Sequence, residues 1–481
     1  MKTIQEFERR LEQYVVSLEG ERAQQYAGLG FSEERMEEAA LQIQELSRHA
    51  LDEIPPEQFS RSLLFSTITS ARQSDYTRME NEIYRCRNER VAIQVKEERV
   101  SLDNWRRFNR IHLKEPSIRR EAFDGLMEKA KALTPLLEER FALSQKLFAP
   151  YGLSPLTAYL EEEQVSLTRL VELVEGLALE AKPFFLEQGN RFGQEILGKP
   201  IEYFDDMYVF RGAIFQPLDQ YLHIDLTGRL MPVFKRMGFN VQAIQVDGSA
   251  RQGKHASPVC FAVQVPTDVR VLFQPTSPVA DYMSFMHEMG HALHFANIDE
   301  KQSFSHRYLV PNGIAEIFST LFEALAVEPV FLLGELGIPE DTARDLVARN
   351  RFMLLYFLVF YGVNSMLKVR FWQDHLTMDQ ADALYAKLAQ QFMGLSLPGI
   401  YWQTHHVASM YDMYTPSYLL AQIRMEELRK KLEQEYGIRW WQDRQVGDTL
   451  RKQYIAPGAA IQLEDFSQLD EGPFWQTIVP S

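Results

Sequence analysis

The chain has 481 residues, 46% of them hydrophobic, and a formal net charge of -15. That length and apolar content suit a large core spread over two or three lobes, and the acidic balance speaks against nucleic acid or other acidic partners. The two cysteines, Cys86 and Cys260, are too few for a disulfide framework or a cysteine metal cage and point to a reducing compartment.

The N-terminus, MKTIQEFERRLEQYVVSLEGERAQQ, carries charges every few residues and no apolar run of signal-peptide length, so a cytoplasmic protein is expected. From Thr3 to about Lys199 apolar residues recur at three and four positions among Glu, Arg and Gln, as in RREAFDGLMEKAKALTPLLEERFALSQKLF. Pro55, Pro56, Pro116, Pro135, Pro150 and Pro155 fall between such segments or near their starts. The expectation is an N-terminal lobe of long antiparallel helices over residues 1–200.

Near residue 200 the texture changes. IEYFDDMYVFRG, AIQVDGSARQGK, PVCFAVQV and DVRVLFQP are aromatic and β-branched, bounded by Gly, Pro and Asp, and read as short strands. The helical pattern resumes at Asp281 and runs to about Glu435, with breaks at Pro311, Pro329, Pro339, Pro398 and Pro416. Residues 201–481 therefore form the expected second lobe, and the fold class is mainly α with a small β-sheet. The most apolar stretch, Phe352 to Leu367, is 16 residues long, short of the roughly 20 that span a bilayer, and reads as a buried core helix.

The segment DYMSFMHEMGHALHFA begins at Asp281, a candidate N-cap, and carries His287, Glu288 and His291. Residues four apart share one helix face, so both imidazoles can reach one ion. Zinc favours neutral imidazole and takes three protein ligands in catalytic sites, leaving a position for water. Glu288, beside the first ligand, can take a proton from that water. A third histidine is missing, since position 297 is Asn.

The best third ligand is Glu316, in NGIAEIFSTLFEALA, which starts at Asn312, another candidate cap. Glu316, Thr320 and Glu323 make a narrow polar stripe among Ile314, Ile317, Phe318, Leu321 and Phe322, and carboxylates on so apolar a helix are costly unless paired with positive charge. Glu323 can hydrogen-bond an imidazole and fix its tautomer. The same stripe, taken alone, could simply face water.

These residues resemble the M3 family of metallopeptidases, the thimet oligopeptidase and oligoendopeptidase F group. HEMGHALH from His287 and EIFSTLFEAL from Glu316 look like the family's zinc helix and glutamate-donating helix. RQGKHASPVCF from Arg251 and DVRVLF from Asp268 resemble its lead-in strands, and HVASMYDMYTPSYLLAQ from His406 its His/Tyr stretch. The likeness runs over about residues 205–430. It implies a mainly helical, clam-like fold with a deep substrate channel and an endopeptidase of short oligopeptides. It implies one zinc ion per chain held by His287, His291 and Glu316, with Glu288 as general base. His406 and Tyr418 would donate hydrogen bonds to the oxyanion, and Tyr411, Tyr414 and His405 would lie near the substrate.

On residue chemistry alone the Tyr401–Tyr418 segment serves equally as core packing, and the choice between His405 and His406, and among Tyr411, Tyr414 and Tyr418, stays open. The strand from Val269 to Gln274 could pair with an extended substrate. Other readings compete. GSARQGKH from Gly248 matches most of a phosphate-binding loop, but His255 stands where that loop needs a hydroxyl and a strand pattern follows it. A metallocarboxypeptidase of similar helical shape would need a cation for the substrate's terminal carboxylate, and Arg251 and Lys254 are available. A non-catalytic helical binding protein with a structural metal would have no use for Glu288.

Overall fold

Thr3, Ser32, Ser60, Ser154, Ser166 and Thr377 each accept the backbone N–H of the third residue on. They start helices at Ile4–Tyr26, Glu33–Glu53, Arg61–Ser70, Pro155–Glu162, Leu167–Leu197 and Met378–Leu388. These elements are those of a computed structural model describing residues 3–105, 108, 114–255, 257–275, 277–461, 469 and 471–478. The chain is 72% helix and 5% strand, a mainly α fold with a small sheet.

The chain gathers into two compact units. One comprises Met1–Ser74, Leu218–Val347 and Leu420–Ser481, the other Asp75–Pro217 and Ala348–Leu419. This division differs from lobes at 1–200 and 201–481, and side-chain packing supplies the reason. On Ile4–Tyr26 and Glu33–Glu53, Phe7, Leu11 and Leu18 meet Ala39, Ile43, Leu46 and Ala50 in a buried seam. Beyond that seam Ala23 and Ala27 pack on Phe261, Val263 and Leu272 of the sheet. Glu12 pairs with Arg307, and the Ser305 N–H donates to Glu8. The first helices are thus part of the unit that contains the sheet.

That sheet has the order β3 (Ile244–Asp247), β5 (Asp268–Leu272), β4 (Val259–Gln264), with β5 parallel to β3 and antiparallel to β4. Three of the four expected strand segments hold these strands. β5 is central and bonded on both sides, so the expected pairing of an extended substrate along Val269–Gln274 is not available. The fourth segment, from Ile201 to Gly212, is helical instead, in short turns at Tyr203–Asp205, Asp206–Tyr208 and Val209–Ala213. Glu202 and Asp205 cap one another there, Asp205 pairs with buried Arg119, and the Tyr401 hydroxyl donates to Asp206. Conversely, the stretch read as wholly helical contains a hairpin, β1 (Ala92–Val95) and β2 (Glu98–Ser101), whose turn places Lys96 at φ 54°.

In the second unit Phe185, Phe192, Phe210, Phe352 and Tyr356 stack against one another, with the Phe210 and Tyr356 ring centroids 3.8 Å apart and the rings nearly parallel. Phe352 to Leu367 lies inside the Glu340–Gln373 helix. Among the described residues this helix alone is long and apolar enough by itself to cross a membrane, and 72% of its apolar window is buried in protein.

Candidate metal centre

The Pro278–Phe295 helix starts with proline at its first position behind Ser277, which places Asp281 in the first turn and not at the cap. Met283, Phe285, Met286, Met289, Ala292 and Leu293 are buried and leave His287 and His291 side by side on the remaining face, ring centroids 5.0 Å apart. The facing helix, Asn312–Ala326, begins at Asn312 with Pro311 as its cap and buries Glu316 almost completely. Gly290 lets the two helices approach. A Cβ there would lie 2.4 Å from the Phe318 carbonyl oxygen and 2.5 Å from the Ser319 Cα, both backbone atoms. Gly290→Ala is therefore expected to push the helices apart, cost ~1–3 kcal/mol or more of stability and lower bound metal well below the wild-type level. Metal analysis alongside a melting curve checks this, and a variant that loads normally would show that the close approach is dispensable.

Across this contact the Glu316 Oε2 lies 3.6 Å from the His287 Nε2 and 3.5 Å from the His291 Nε2. One potential ligand atom from each of the three residues lies within 4.8 Å of the others, and among the described residues this is the only such group of three. The separations are too long for hydrogen bonds. They match what a shared ion would impose, since two ligands about 2.05 Å from zinc at the tetrahedral angle sit about 3.4 Å apart. The donor set of two imidazoles and one carboxylate is also one that zinc takes in catalytic sites.

His287 is held from behind. Its Nδ1 is 2.9 Å from the Glu323 Oε2. A bond of this kind fixes the tautomer that leaves Nε2 as a lone-pair donor. The Ser319 hydroxyl is 2.6 Å from the Glu316 Oε2. The Cys260 backbone on the edge strand β4 favours the charged form of Glu288.

Burial pushes the Glu288 carboxyl up to about 7, with His287 opposing the rise and Glu316 adding to it. Burial alone would lower His287, but the Glu323, Glu316 and Glu288 carboxylates outweigh it and raise the imidazole to about 10. His291 is driven down to about 4 by burial and by its charged neighbour His287, despite Glu316. Three carboxylates thus surround two imidazoles of which only one readily takes a proton, and His287, His291 and Glu316 are a group that could hold a metal ion.

The other expected site residues lie in the second unit. His405 is packed edge-on against Tyr401 and Phe360, whereas His406 opens a short helix, His406–Ser409, and is exposed. Tyr411, Tyr414 and Tyr418 form a chain of touching rings, 5.5 and 5.2 Å between centroids, with Tyr411 46% exposed.

Arg251 and Lys254, the cations that the phosphate-loop and carboxypeptidase readings need, are both engaged. The Lys254 Nζ donates to the Asp247 carbonyl at 2.7 Å, the Asp247 Oδ1 at 3.0 Å and the Ser249 carbonyl at 2.9 Å, which uses all three of its hydrogens. Arg251 pairs with the same carboxylate and caps the Ala27 carbonyl. Among the described residues the next element is β4, not the helix that a phosphate-binding loop leads into.

Gly290 was not singled out from the sequence. Ser319 lay within the EIFSTLFEAL stretch, three residues after Glu316 on the same helix, but was given no role there. Compared with models of known protein families and with curated proteins, the sequence gives no match.

Proposed function

We propose that the chain is a zinc metalloendopeptidase that hydrolyses short peptides, of the M3-like kind its motifs resemble. The observation that carries the reading is the convergence of His287, His291 and Glu316 at ligand–ligand separations that suit one tetrahedral ion, with a carboxylate outside that group, Glu288, beside them. A structural metal site closes all four positions with protein and needs no such group.

When bound, zinc supplies a Lewis acid that makes a water more acidic and a peptide carbonyl more electrophilic. His287, His291 and Glu316 would hold it, while Glu323 keeps the His287 imidazole aimed. Glu288 would take the proton of the attacking water and return it to the leaving amine. In this reading His406 and Tyr418 are the oxyanion donors, a role that rests on the resemblance; the exposure of His406 and the packing of His405 favour the former. Because Arg251 and Lys254 are already paired, the endopeptidase is favoured over the carboxypeptidase.

The test is metal analysis of the purified chain together with cleavage of internally quenched peptides whose C-termini are amidated. The expected result is about one zinc per chain and cleavage that a chelator stops and added zinc restores. Bound zinc without cleavage of any peptide in a diverse set would turn the reading to a structural metal, and absence of metal binding would end it.

A further inference from the structure

Ser319 is fully buried on the face of the Asn312–Ala326 helix that meets the Pro278–Phe295 helix. Its Oγ is 3.0 Å from the Glu316 backbone carbonyl and 2.6 Å from the Glu316 Oε2. A hydroxyl has one hydrogen to give, so the two acceptors compete. The first contact is the ordinary back-bond of a helical serine. The second is shorter and ends on a carboxylate, where a charge-assisted bond is about twice as strong as a neutral one. The hydrogen therefore goes to the Glu316 Oε2, the same oxygen that lies 3.5–3.6 Å from both imidazole nitrogens.

Thr320, next along the helix and also buried, provides the contrast. Its Oγ1 bonds the backbone carbonyls of Glu316 at 2.6 Å and Ile317 at 3.1 Å and does not touch the carboxylate. The two neighbouring hydroxyls do different work, one on the ligand and one on the helix.

We propose that Ser319 is a positioning residue for the metal ligand Glu316. Its hydroxyl fixes the rotation of the carboxylate so that Oε2 meets the two imidazoles before an ion arrives. Resting on the metallopeptidase reading, this adds a device that presets the ligand. Two consequences of the bond oppose each other. Donation to Oε2 withdraws electron density and weakens the oxygen as a ligand, while fixing its direction removes the conformational cost of finding the ion. A glutamate has three side-chain torsions to order, and loss of a bond that orients a ligand typically lowers metal affinity 10–100-fold. Orientation therefore dominates.

The experiment is zinc competition against a chromophoric chelator, with the visible spectrum of the cobalt-loaded chain as a second readout, on wild type, Ser319→Ala, Thr320→Ala, Glu316→Gln and the double variant Ser319→Ala/Glu316→Gln. Ser319→Ala is expected to bind zinc about tenfold or more weakly and to shift the cobalt bands, while Thr320→Ala leaves both unchanged. In the Glu316→Gln background Ser319→Ala should add no further loss, because the oxygen it orients has lost its charge. If Ser319→Ala proves unstable, this cycle still decides: an equal loss with and without the Glu316 carboxylate means that Ser319 acts on the fold and overturns the proposal. Wild-type affinity and an unshifted spectrum in Ser319→Ala overturn it too. A wild-type chain that takes up neither zinc nor cobalt is a different failure and strikes the metal-site reading itself.

Discussion

Glu288→Gln is expected to retain its zinc and to lose peptide cleavage by about three to four orders of magnitude, the upper range for removal of a general base. The substitution keeps the length and shape of the side chain. What it removes is the ability to take a proton. None of the three ligand atoms belongs to Glu288, and Glu323, which holds the His287 imidazole, is untouched. Metal content measured beside the rate therefore separates chemistry from assembly. A variant that cleaves within tenfold of wild type would remove Glu288 from the reaction, and one that loses its metal together with its activity would make Glu288 part of the site's architecture.

The part of this centre that sequence made legible is the part fixed by local helix geometry. His287 and His291 share a face because four residues make about one turn, and Glu316 with Glu323 stood out because carboxylates on an apolar helix need a partner. The backbone approach left no mark: Gly290 gains its meaning only when the Phe318 carbonyl and the Ser319 Cα of the facing helix are in place. Ser319 was visible at the right spacing, yet a helical serine ordinarily bonds its own backbone.

The fold shows the same limit. The mainly helical class, β3, β4 and β5 followed from periodicity and composition. Ile201–Gly212 did not, because aromatic and β-branched residues fill a buried helical turn as well as a strand, and what decides is long-range pairing of Asp205 with Arg119 and of Asp206 with Tyr401. The β1–β2 hairpin was hidden because its turn uses Lys96 at positive φ, where Gly or Asn would have announced it. Nor could periodicity show that Ala23 and Ala27 meet residues more than two hundred positions away.

Lys368→Met is expected to stabilise the chain by up to about 5 kcal/mol near pH 6, with the gain shrinking by about 1.4 kcal/mol per pH unit above 7. Lys368 is 1% exposed, and its Nζ has no hydrogen-bond partner among the described residues. It faces the Phe141 ring at 4.1 Å and the Phe371 and Trp402 rings at 5.8 Å. Asp412, the one carboxylate that pulls on it, is already bonded to Arg140 at 2.7 Å. A ring face gives a desolvated ammonium ~2 kcal/mol, less than the several kcal/mol lost on leaving water. Burial therefore lowers the amine from 10.5 to about 7, with Asp412 opposing and Arg140 assisting. Between these values the unfolded chain holds more protons than the folded one, so raising the pH favours the folded state; below pH 7 both are protonated and the full cost is present. Methionine keeps the unbranched stem and removes the amine, so the difference between the two proteins isolates this group from the tyrosines that titrate near the top of the range. Urea midpoints of both from pH 6 to 10 measure it. A gap that stays constant across that range would mean that Lys368 keeps its charge in the folded state and that a partner holds it there.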